Sequence, residues 1–560
     1  MILIALSWII FFFIFLSNGY VFSKFVRIPP KSVSITLLLG LFFQTVLLTI
    51  TSIFYKIGLL VFIINCLFSC SVIFIYQKEI FGLFSSQFDQ LKNYTFPTKA
   101  LLFIILLTAL KTSSDVPFLI DNESYYIQSI KWINEYGLVK GLANLHLFLG
   151  QMSPFHILQA GYNFTFLSAR FNDLNGFILV VCMGFFVQKM VEHKQGKSAH
   201  WIGFIVLFYM LFLQFVSQPS PDLSLILITP IILYLYIDHQ NSTTALRTAI
   251  LLFCFIVFIK ITIAPLGLLI LWWCIKKKEG RVFLLVALLI IGLLFCLKNI
   301  IITGYPLFPF RFFAFEVTWK LPLSLLEYLS DITINAGYFE GNTIKNANYF
   351  TKFISWIQLK GLNQLFNWGV LLMFAICPFT RTFRLNNLVK SAYFVLAFHF
   401  ILIFFKSPQF RFFLPELVFL AAITASEVYL LFKLKANYMP SILIGVILLT
   451  YVLSDWVNLN SLTKNKFHQT QSTFSLSQLI IPNSNTKFPK MEFDSLRLKN
   501  LNFYSPKENF FLYGTAEGPL PCVNKKQVKF IYKKTGYIPQ QLDSTIGGGF
   551  YSLKYQRDAQ

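Results

Sequence analysis

Long apolar runs, separated by short connectors that carry most of the charge, dominate the pattern of this sequence. A helix that crosses a bilayer needs roughly 20 apolar residues, and fourteen runs reach or approach that length. They cover residues 3–22, 33–54, 57–76, 98–113, 174–190, 200–217, 222–238, 248–264, 265–275, 282–301, 366–380, 391–405, 413–432 and 439–454. The pattern therefore predicts an all-α polytopic membrane protein with about 14 transmembrane helices.

The basic residues of the short connectors are distributed unevenly between the two sides of this predicted bundle. If the uncharged N-terminus lies outside, 19 Lys and Arg residues fall on the inner side, and only Lys56, Lys406 and Arg411 fall on the outer side. Lys and Arg of short loops collect on the cytoplasmic side of membrane proteins. The asymmetry predicts a bacterial inner-membrane protein whose N-terminus and C-terminal tail are both periplasmic.

Three long polar stretches then fall on the predicted outer face and divide the chain. Two of them are the loops 111–173 and 302–365, and the third is the tail 455–560. We expect a three-helix N-terminal membrane segment at 1–97, followed by a membrane core at 98–454. The tail is the part of the chain that we expect to form a separate periplasmic domain.

Short β-prone runs within the tail, at 529–532 and 550–555, alternate with Pro and Gly turns. Such a pattern favours strands that are joined by tight connections. We expect the tail to be a small α/β or β-rich module.

Composition excludes several classes of protein. Of the 560 residues, 56% are hydrophobic and only 13% are charged, whereas roughly a quarter of a soluble domain is charged. A soluble cytosolic enzyme is therefore excluded. The net charge of +23 does not indicate a nucleic-acid partner, because the basic residues lie in membrane connectors. Seven of the eight cysteines lie in apolar runs and Cys522 is alone in the tail, so no disulfide framework is indicated.

Two carboxylates open the first outer loop. Asp121 and Glu123 precede an amphipathic segment, 125–137, that we expect to lie on the membrane surface as a helix. In an extended chain, side chains two residues apart point the same way, so this pair would suit a general base or an oxygen-ligated divalent metal such as Mg²⁺ or Mn²⁺. The alternative is that Asp121 or Asn122 only caps the helix. His146 and His156 could also bind a metal or shuttle protons, but their separation of ten residues is not a standard ligand spacing, so the sequence leaves the metal ligands open.

Further ionisable groups mark the other outer helix ends. Asp222 follows a Pro-rich connector, where it either caps a helix or converges on the first loop. Lys260 lies among apolar residues, where it either snorkels to the interface or serves as a counter-charge for a phosphate. Bases at similar predicted depth suit an anionic lipid headgroup; they are Lys298, Arg311, Lys406 and Arg411.

At this point the chain resembles the GT-C superfamily of polytopic membrane glycosyltransferases, and more closely a bacterial branch of it. The matching stretches run from about residue 98 to 525. They are 121–126 with Trp132, 141–146, 219–222, 259–260, 304–309 with Trp319, 410–412 and 519–522.

The resemblance implies a GT-C-like core and places two acids. The family has a catalytic Asp early in the first large outer loop, a place that Asp121 holds, and often a second acid in the next outer loop, which corresponds to Asp222. The loop 302–365 would help to bind the donor. Two departures stand out: the segment 1–97 precedes the core, and the spacing of Asp121 and Glu123 leaves open which of them is the base.

The expected activity is transfer of a hexosyl or pentosyl group from a polyprenyl-phosphate or polyprenyl-diphosphate donor to a hydroxyl group, with inversion, at the periplasmic face. The acceptor would be a glycan, a lipid or a protein. The expected catalytic residues are Asp121, Glu123 and Asp222. The expected lipid-phosphate ligands are Lys260, Lys298, Arg311 and Arg411, and the expected acceptor or sugar pocket contains Tyr125, Tyr126, Asn144 and His146.

Other classes of membrane protein stay open at this point. A polysaccharide polymerase or ligase of another polytopic class would rely on Arg and His rather than on a carboxylate base. A non-catalytic subunit of an envelope complex would keep the fold without the chemistry. A transporter fits less well, because we find neither matched halves nor ionisable residues at mid-membrane.

Overall fold

The computed structural model describes residues 1–192, 198–339, 347–432, 438–456, 474–507 and 509–555. Helices dominate these residues, and within them strands occur only in the C-terminal part. The prediction that the membrane part is all-α is confirmed.

Twenty-two α-helices follow one another along the described residues. They are α1 (Ile2–Phe25), α2 (Val33–Phe54), α3 (Leu59–Ile75), α4 (Gln77–Lys92), α5 (Phe96–Ser113), α6 (Ile127–Glu135), α7 (Leu142–Leu145), α8 (Pro154–Gly161), α9 (Leu174–Glu192), α10 (Tyr209–Leu213), α11 (Asp222–Asp238), α12 (Thr243–Ile259), α13 (Gly267–Lys276), α14 (Glu279–Thr303), α15 (Leu323–Tyr338), α16 (Tyr349–Ile357), α17 (Leu362–Ile376), α18 (Arg381–Leu385), α19 (Asn387–Lys406), α20 (Leu414–Leu431), α21 (Met439–Trp456) and α22 (Lys525–Thr535).

Fewer helices are long enough to cross a membrane than the apolar runs suggest. Among the described residues, eight have the required length and composition: α1, α2, α5, α9, α14, α17 with the turn after it, α19 and α20. The bent pair of α3 and α4, which meet at 87°, raises the number to nine if it forms one span. These are the helices of a multi-pass membrane protein, but the predicted number of about 14 spans is not confirmed. Several other runs form shorter apolar helices, because turns such as the 3-10 turn Ile261–Leu266 interrupt them.

Helices α1 and α2 cross closely because each contributes a glycine at the crossing. A Cβ on Gly19 or on Gly40 would lie 1.9 Å from a carbonyl oxygen of the opposite helix, and small residues let membrane helices approach in this way. Helix α1 also reaches the core, where Trp8 Nε1 donates a hydrogen bond of 3.2 Å to the Asp173 carbonyl. The predicted N-terminal segment is therefore packed against the membrane core.

The polar stretches gather at one end of the bundle in what we call the loop layer. It comprises residues 114–173, 304–339 and 347–360, together with the C-terminal unit, residues 474–555 without residue 508. Backbone hydrogen bonds of 2.9 Å hold it together, from Phe550 to Lys140 and from Asn483 to Ser114, and one of 2.8 Å from Gly141 to Ile301 attaches it to α14. The two outer loops and the tail thus form one assembly above the helices.

The C-terminal unit contains two small antiparallel sheets and one helix. Strand β1 (Phe493–Leu498) pairs with β2 (Leu501–Pro506), and β3 (Tyr537–Gln541) pairs with β4 (Phe550–Lys554). This agrees with the predicted α/β module, and the β-prone run at 550–555 coincides with β4.

The other β-prone run of the tail was assigned wrongly, because 529–532 lies inside α22. The Asn524 side chain caps that helix by accepting from Lys526 N at 2.9 Å. Gly536, with φ +76°, ends it. Val528 and Ile531, three residues apart, are buried on one helix face, so the period here is helical.

The amphipathic segment of the first loop is a helix, but it does not lie exposed at a surface. A π-helical turn, Asn122–Tyr126, leads into α6, and Trp132 and Ile133 of α6 are fully buried. Gln128 Nε2 donates to the Gly518 carbonyl at 2.9 Å. The apolar face of α6 is therefore part of the loop-layer core, and the C-terminal unit contacts its polar side chains.

Candidate functional site

Four charged residues that are far apart in the sequence meet where the helix bundle joins the loop layer. Asp121 directly precedes the π-helical turn, and Asp222 is the first residue of α11. Lys260 ends α12, and Arg411 lies in the 3-10 turn Phe410–Phe412 between α19 and α20. We call these four residues the ion cluster.

Arg411 lies at the centre of the ion cluster. Its guanidinium contacts the Asp121 carboxylate directly, and its Nη1 is 3.8 Å from Oδ2 of Asp222. The Lys260 ammonium contacts Oδ1 of Asp222, so that carboxylate lies between two cations. The Asp222 side chain is 3% exposed, whereas those of the other three are 20 to 23% exposed. The cluster is thus sheltered yet accessible, and its formal charges cancel.

The segment that carries Arg411 also orients both cations of the cluster. Gln409 Oε1 accepts a hydrogen bond of 3.1 Å from Arg411 Nε. Lys260 Nζ lies 3.9 Å from the centroid of the Phe412 ring, which is a cation–π contact. Burial opposes the charge on Arg411, but Asp121 and Asp222 outweigh it and raise the pKa of the guanidinium further above its ordinary value. Arg411 therefore stays cationic.

Aromatic side chains of the first outer loop line one side of the ion cluster. The rings of Tyr125 and Tyr126 are 4.7 Å apart, and Tyr126 lies 4.8 Å from the His156 ring. Burial, reinforced by the charge of Asp121, raises the pKa of Tyr125. Burial lowers the pKa of His156 to about 3, so its imidazole is neutral at physiological pH. This wall is uncharged, and His156 is poorly suited to shuttle protons.

Lys298 lies buried close to this wall. Its side chain is 3% exposed and its Nζ donates to the Met152 carbonyl at 2.6 Å. Among the described residues, no carboxylate forms an ion pair with it. Its charge contributes to the lowered pKa of His156, which shows that the two groups are near each other. A buried ionisable group of this kind in a membrane protein marks a functional site by default.

An apolar groove of about 300 Å³ opens beside Lys260 and Lys298. Its walls come from the end of α12, the middle of α14 and the chain after α14; they are Val257, Phe258, Ile261, Leu288, Ile291, Gly292, Phe295, Cys296, Leu307, Phe308 and Phe310. Ile261 directly follows Lys260, and the Lys298 ammonium is 5.5 Å from the centroid of the Phe295 ring. An apolar groove with cations at one end suits a lipid that has an anionic head.

The residues of the ion cluster do not form a ready metal site. Within the described ranges, no group of three or more His, Cys, Asp and Glu side chains could hold a metal ion. Asp121 and Asp222 are each in direct contact with a cationic side chain. Two carboxylates that already have counter-ions fit a divalent metal poorly.

Glu123, predicted to share the catalytic site with Asp121, makes its contacts with the C-terminal unit instead. Its carboxylate accepts hydrogen bonds from Thr486 Oγ1 at 2.5 Å and from the Lys487 backbone N–H at 2.8 Å. Neither Arg411 nor Lys260 is among its partners in the described part of the chain. The expectation that Asp121 and Glu123 act side by side is not supported by this geometry, because the backbone here is helical rather than extended, and side chains two residues apart on a helical turn point to opposite sides.

Two residues expected in the acceptor pocket connect parts of the loop layer. Asn144 Nδ2 donates to the Trp319 carbonyl at 2.9 Å, and its Oδ1 accepts from Ser552 Oγ at 2.7 Å. His146 Nε2 lies 3.1 Å from the Tyr513 carbonyl oxygen, and burial lowers the pKa of His146 to about 4. Both side chains therefore have structural partners.

Two predicted outer bases also lie apart from the ion cluster. The Arg311 side chain is 68% exposed, and its Nη1 is 4.0 Å from Glu327 Oε1. Lys406 Nζ lies 5.9 Å from the centroid of Phe310, a residue of the groove. Arg311 is thus not brought to the cluster, whereas Lys406 lies at the edge of the groove.

Sequence reasoning missed the part that the tail plays at this site. Thr486 bonds to Glu123 across 363 residues, and the Tyr513 carbonyl accepts from Ser124 Oγ at 3.1 Å. Neither Thr486 nor Tyr513 lies in a motif that distinguishes it from other loop residues. No pattern in the sequence could have indicated these contacts.

A family profile described as a domain of unknown function (DUF8201) matches residues 1–420. The chain belongs to this family. The matched range contains all four residues of the ion cluster, the buried Lys298 and the groove, whereas the C-terminal unit lies beyond it. No curated protein and no solved structure matches the chain.

Proposed function

We propose that this chain is a membrane glycosyltransferase of GT-C type, and that the ion cluster and the groove form its site for a polyprenyl-phosphate or polyprenyl-diphosphate sugar. One observation carries the proposal. Two carboxylates and two cations from four distant segments meet beside a buried lysine and at the end of an apolar groove. A scaffold has no evident need to bury these charges, since each costs desolvation free energy.

The groove and the cations would bind different parts of the donor. The isoprenoid chain would lie in the groove, and the phosphate would contact Lys260, Lys298 and Arg411. Lys298 is suited to this role because its buried ammonium has a carbonyl partner but no ion pair among the described residues. An entering phosphate would supply the missing counter-charge and recover part of the desolvation cost.

Donor binding would also release the base. Arg411 contacts the Asp121 carboxylate directly, so this carboxylate already has a hydrogen-bond partner. A phosphate that competes for Arg411 would leave Asp121 available to the acceptor hydroxyl. The base would then be active only when a donor is present.

The reaction that we propose proceeds in one displacement. The acceptor oxygen attacks the anomeric carbon, and a new C–O bond forms as the bond from that carbon to the phosphate oxygen breaks. The hydroxyl proton passes to Asp121, and the electron pair leaves with the polyprenyl phosphate, which the cations stabilise. Attack opposite the leaving group inverts the anomeric centre. Asp222 would orient Lys260 and Arg411, since it contacts both.

The cellular setting of the proposal follows from the basic connectors. We propose that the ion cluster and the C-terminal unit face the periplasm of a bacterial inner membrane, where polyprenyl-linked sugars meet their acceptors. In this proposal the acceptor is a glycan, a lipid or a protein.

The test uses donors labelled in the host cell, so that the sugar need not be known. Cells are fed a radioactive sugar, the polyprenyl-linked fraction is extracted, and transfer from that fraction to an aqueous product is measured with purified protein in nanodiscs and a crude envelope fraction as acceptor. We expect Asp121→Asn to lower transfer by about 100-fold or more, because it removes the general base.

The matched control is Asp331→Asn, which makes the same change at an exposed position of α15. We expect this variant to transfer label at the wild-type rate. Wild-type transfer by Asp121→Asn would remove the base from the proposal, and no transfer by any form with any labelled fraction would remove the activity.

A further inference from the structure

We propose that Glu123 is a positioning residue, whose buried carboxylate fastens the C-terminal unit to the π-helical turn Asn122–Tyr126 and thereby fixes Asp121. This inference rests on the proposed function, because it concerns the placement of the proposed base. It assigns the C-terminal unit a part in the chemistry of a site that lies in the membrane portion.

The Glu123 carboxylate is fully buried and has three hydrogen-bond donors. Thr486 Oγ1 and the Lys487 N–H come from the C-terminal unit, at 2.5 and 2.8 Å. The third donor is Asn122 Nδ2 at 3.1 Å, and that same amide nitrogen donates to the Asn485 carbonyl at 2.9 Å. A buried carboxylate is tolerated only when its oxygens are satisfied in this way. The segment 485–487 is therefore held at a defined place against the turn.

The backbone of the turn is held from the same side. The Glu123 carbonyl accepts from the N–H groups of Thr515 and Ala516, both at 2.9 Å. Thr515 Oγ1 donates to the Ser124 carbonyl at 2.7 Å, and Ser124 Oγ donates to the Tyr513 carbonyl at 3.1 Å. Two separate segments of the C-terminal unit thus bond to three consecutive residues of the turn, Asn122, Glu123 and Ser124.

The turn needs such support because of its geometry. A π-helical turn is rare and is found frequently at functional sites. Asp121 immediately precedes the turn and Tyr125 lies within it, so a shift of the turn would move the proposed base and part of the aromatic wall together. The Asp121 side chain contacts Arg411 and is partly exposed to solvent. Its position therefore depends on the backbone that follows it.

Two substitutions at Glu123 separate positioning from chemistry. In Glu123→Gln, the side-chain oxygen still accepts from Lys487 N–H, and the amide NH₂ donates to Thr486 Oγ1, so the connection is kept. In Glu123→Ala the connection is lost. If Glu123 only positions Asp121, Gln retains most of the transfer activity, whereas Ala lowers kcat by about 100-fold, as expected for a small misplacement of a catalytic group.

Two further measurements distinguish this inference from general unfolding and from failure of the proposed function. Undecaprenyl phosphate serves as the binding probe, and Glu123→Ala should bind it no more weakly than the wild type does, because the cations are untouched. Amide hydrogen exchange over residues 122–128 should increase in Glu123→Ala and stay at the wild-type level in Glu123→Gln. Thr486→Val, which removes the donor from the C-terminal side, should reproduce a milder form of the Ala effects.

The outcomes are separable. Loss of activity in Glu123→Gln with unchanged exchange would overturn the inference and make Glu123 a catalytic residue. Wild-type kcat in Glu123→Ala would also overturn it, while leaving the proposed function standing. Wild-type activity in Asp121→Asn would instead refute the proposed base, whatever Glu123 does.

Discussion

Replacing Lys298 with Met removes a buried ammonium and keeps a flexible side chain of similar length. Placing a lysine inside a membrane helix costs about 2.5 to 3.5 kcal/mol, and the hydrogen bond to the Met152 carbonyl returns about 1.5 to 3 kcal/mol. These amounts nearly cancel. We therefore expect Lys298→Met to change the free energy of unfolding by no more than about 1 to 2 kcal/mol, so that the variant folds.

The affinity for the donor should change much more than the free energy of unfolding does. A charge-assisted hydrogen bond from Lys298 to a phosphate is worth about 1.5 to 3 kcal/mol, and each 1.4 kcal/mol corresponds to about a tenfold change in Kd. We expect Lys298→Met to bind undecaprenyl phosphate about 10- to 150-fold more weakly than the wild type. Saturating undecaprenyl phosphate should accordingly raise the unfolding temperature of the wild type more than that of the variant.

The assay measures thermal unfolding of purified protein in nanodiscs over a titration of undecaprenyl phosphate. Lys490→Met, an exposed lysine of the C-terminal unit, is the control and should respond as the wild type does. If Lys298→Met binds undecaprenyl phosphate with wild-type affinity, the buried lysine is not a phosphate ligand and the assignment of the donor site is refuted.

Two further predictions address the groove and the pH dependence of stability. A Cβ at Gly292 would meet nothing within 4 Å, so we expect Gly292→Leu to stabilise α14 by about 0.5 to 1 kcal/mol. The leucine side chain should fill the groove and weaken binding of undecaprenyl phosphate, but not of the short geranyl phosphate. If the variant binds undecaprenyl phosphate as tightly as the wild type does, the isoprenoid chain lies elsewhere. Burial raises the pKa of Asp173 from 3.8 to about 7. The folded state thus holds this proton more tightly than the unfolded state does, and the free energy of unfolding should fall by up to about 4 kcal/mol as pH rises from about 4 to about 7. Urea unfolding of Asp173→Asn over that range should show a flatter dependence than the wild type, and an equal slope would contradict the burial argument.

The membrane helices could be predicted from the sequence because their signal is local. Most of the apolar runs are long and continuous, and each falls at least partly on helical structure. The number of spans could not be predicted in the same way. Continuous hydrophobicity does not reveal an interruption such as the 3-10 turn Ile261–Leu266.

The candidate site, too, could be predicted only where the signal is local. Asp121, Asp222, Lys260 and Arg411 each stood out as a charge within or beside an apolar stretch near the predicted outer face, which is a local feature, and the structure brings them together. Arg311 has the same local feature but is exposed beside Glu327. Nothing in the local sequence distinguishes a charge that turns inward from one that faces solvent.

The parts that could not be predicted depend on contacts between distant segments. Glu123 resembles Asp121 in every local respect, and only the docking of residues 485–487 and 515–516 gives it a different set of partners. The run 529–532 has β-prone side chains, but Asn524 and Gly536 set the ends of a helix there. Tertiary partners and end caps outweighed intrinsic preference in both cases.

A structure of the protein in nanodiscs with undecaprenyl phosphate would test the central claim most directly. The account predicts density for the phosphate within hydrogen-bond distance of Lys298 Nζ and the Arg411 guanidinium, the isoprenoid chain between α12 and α14, and an Asp121 carboxylate released from Arg411. Lipid density at another surface, with the contacts of Asp121 to Arg411 and of Asp222 to Lys260 unchanged, would contradict it.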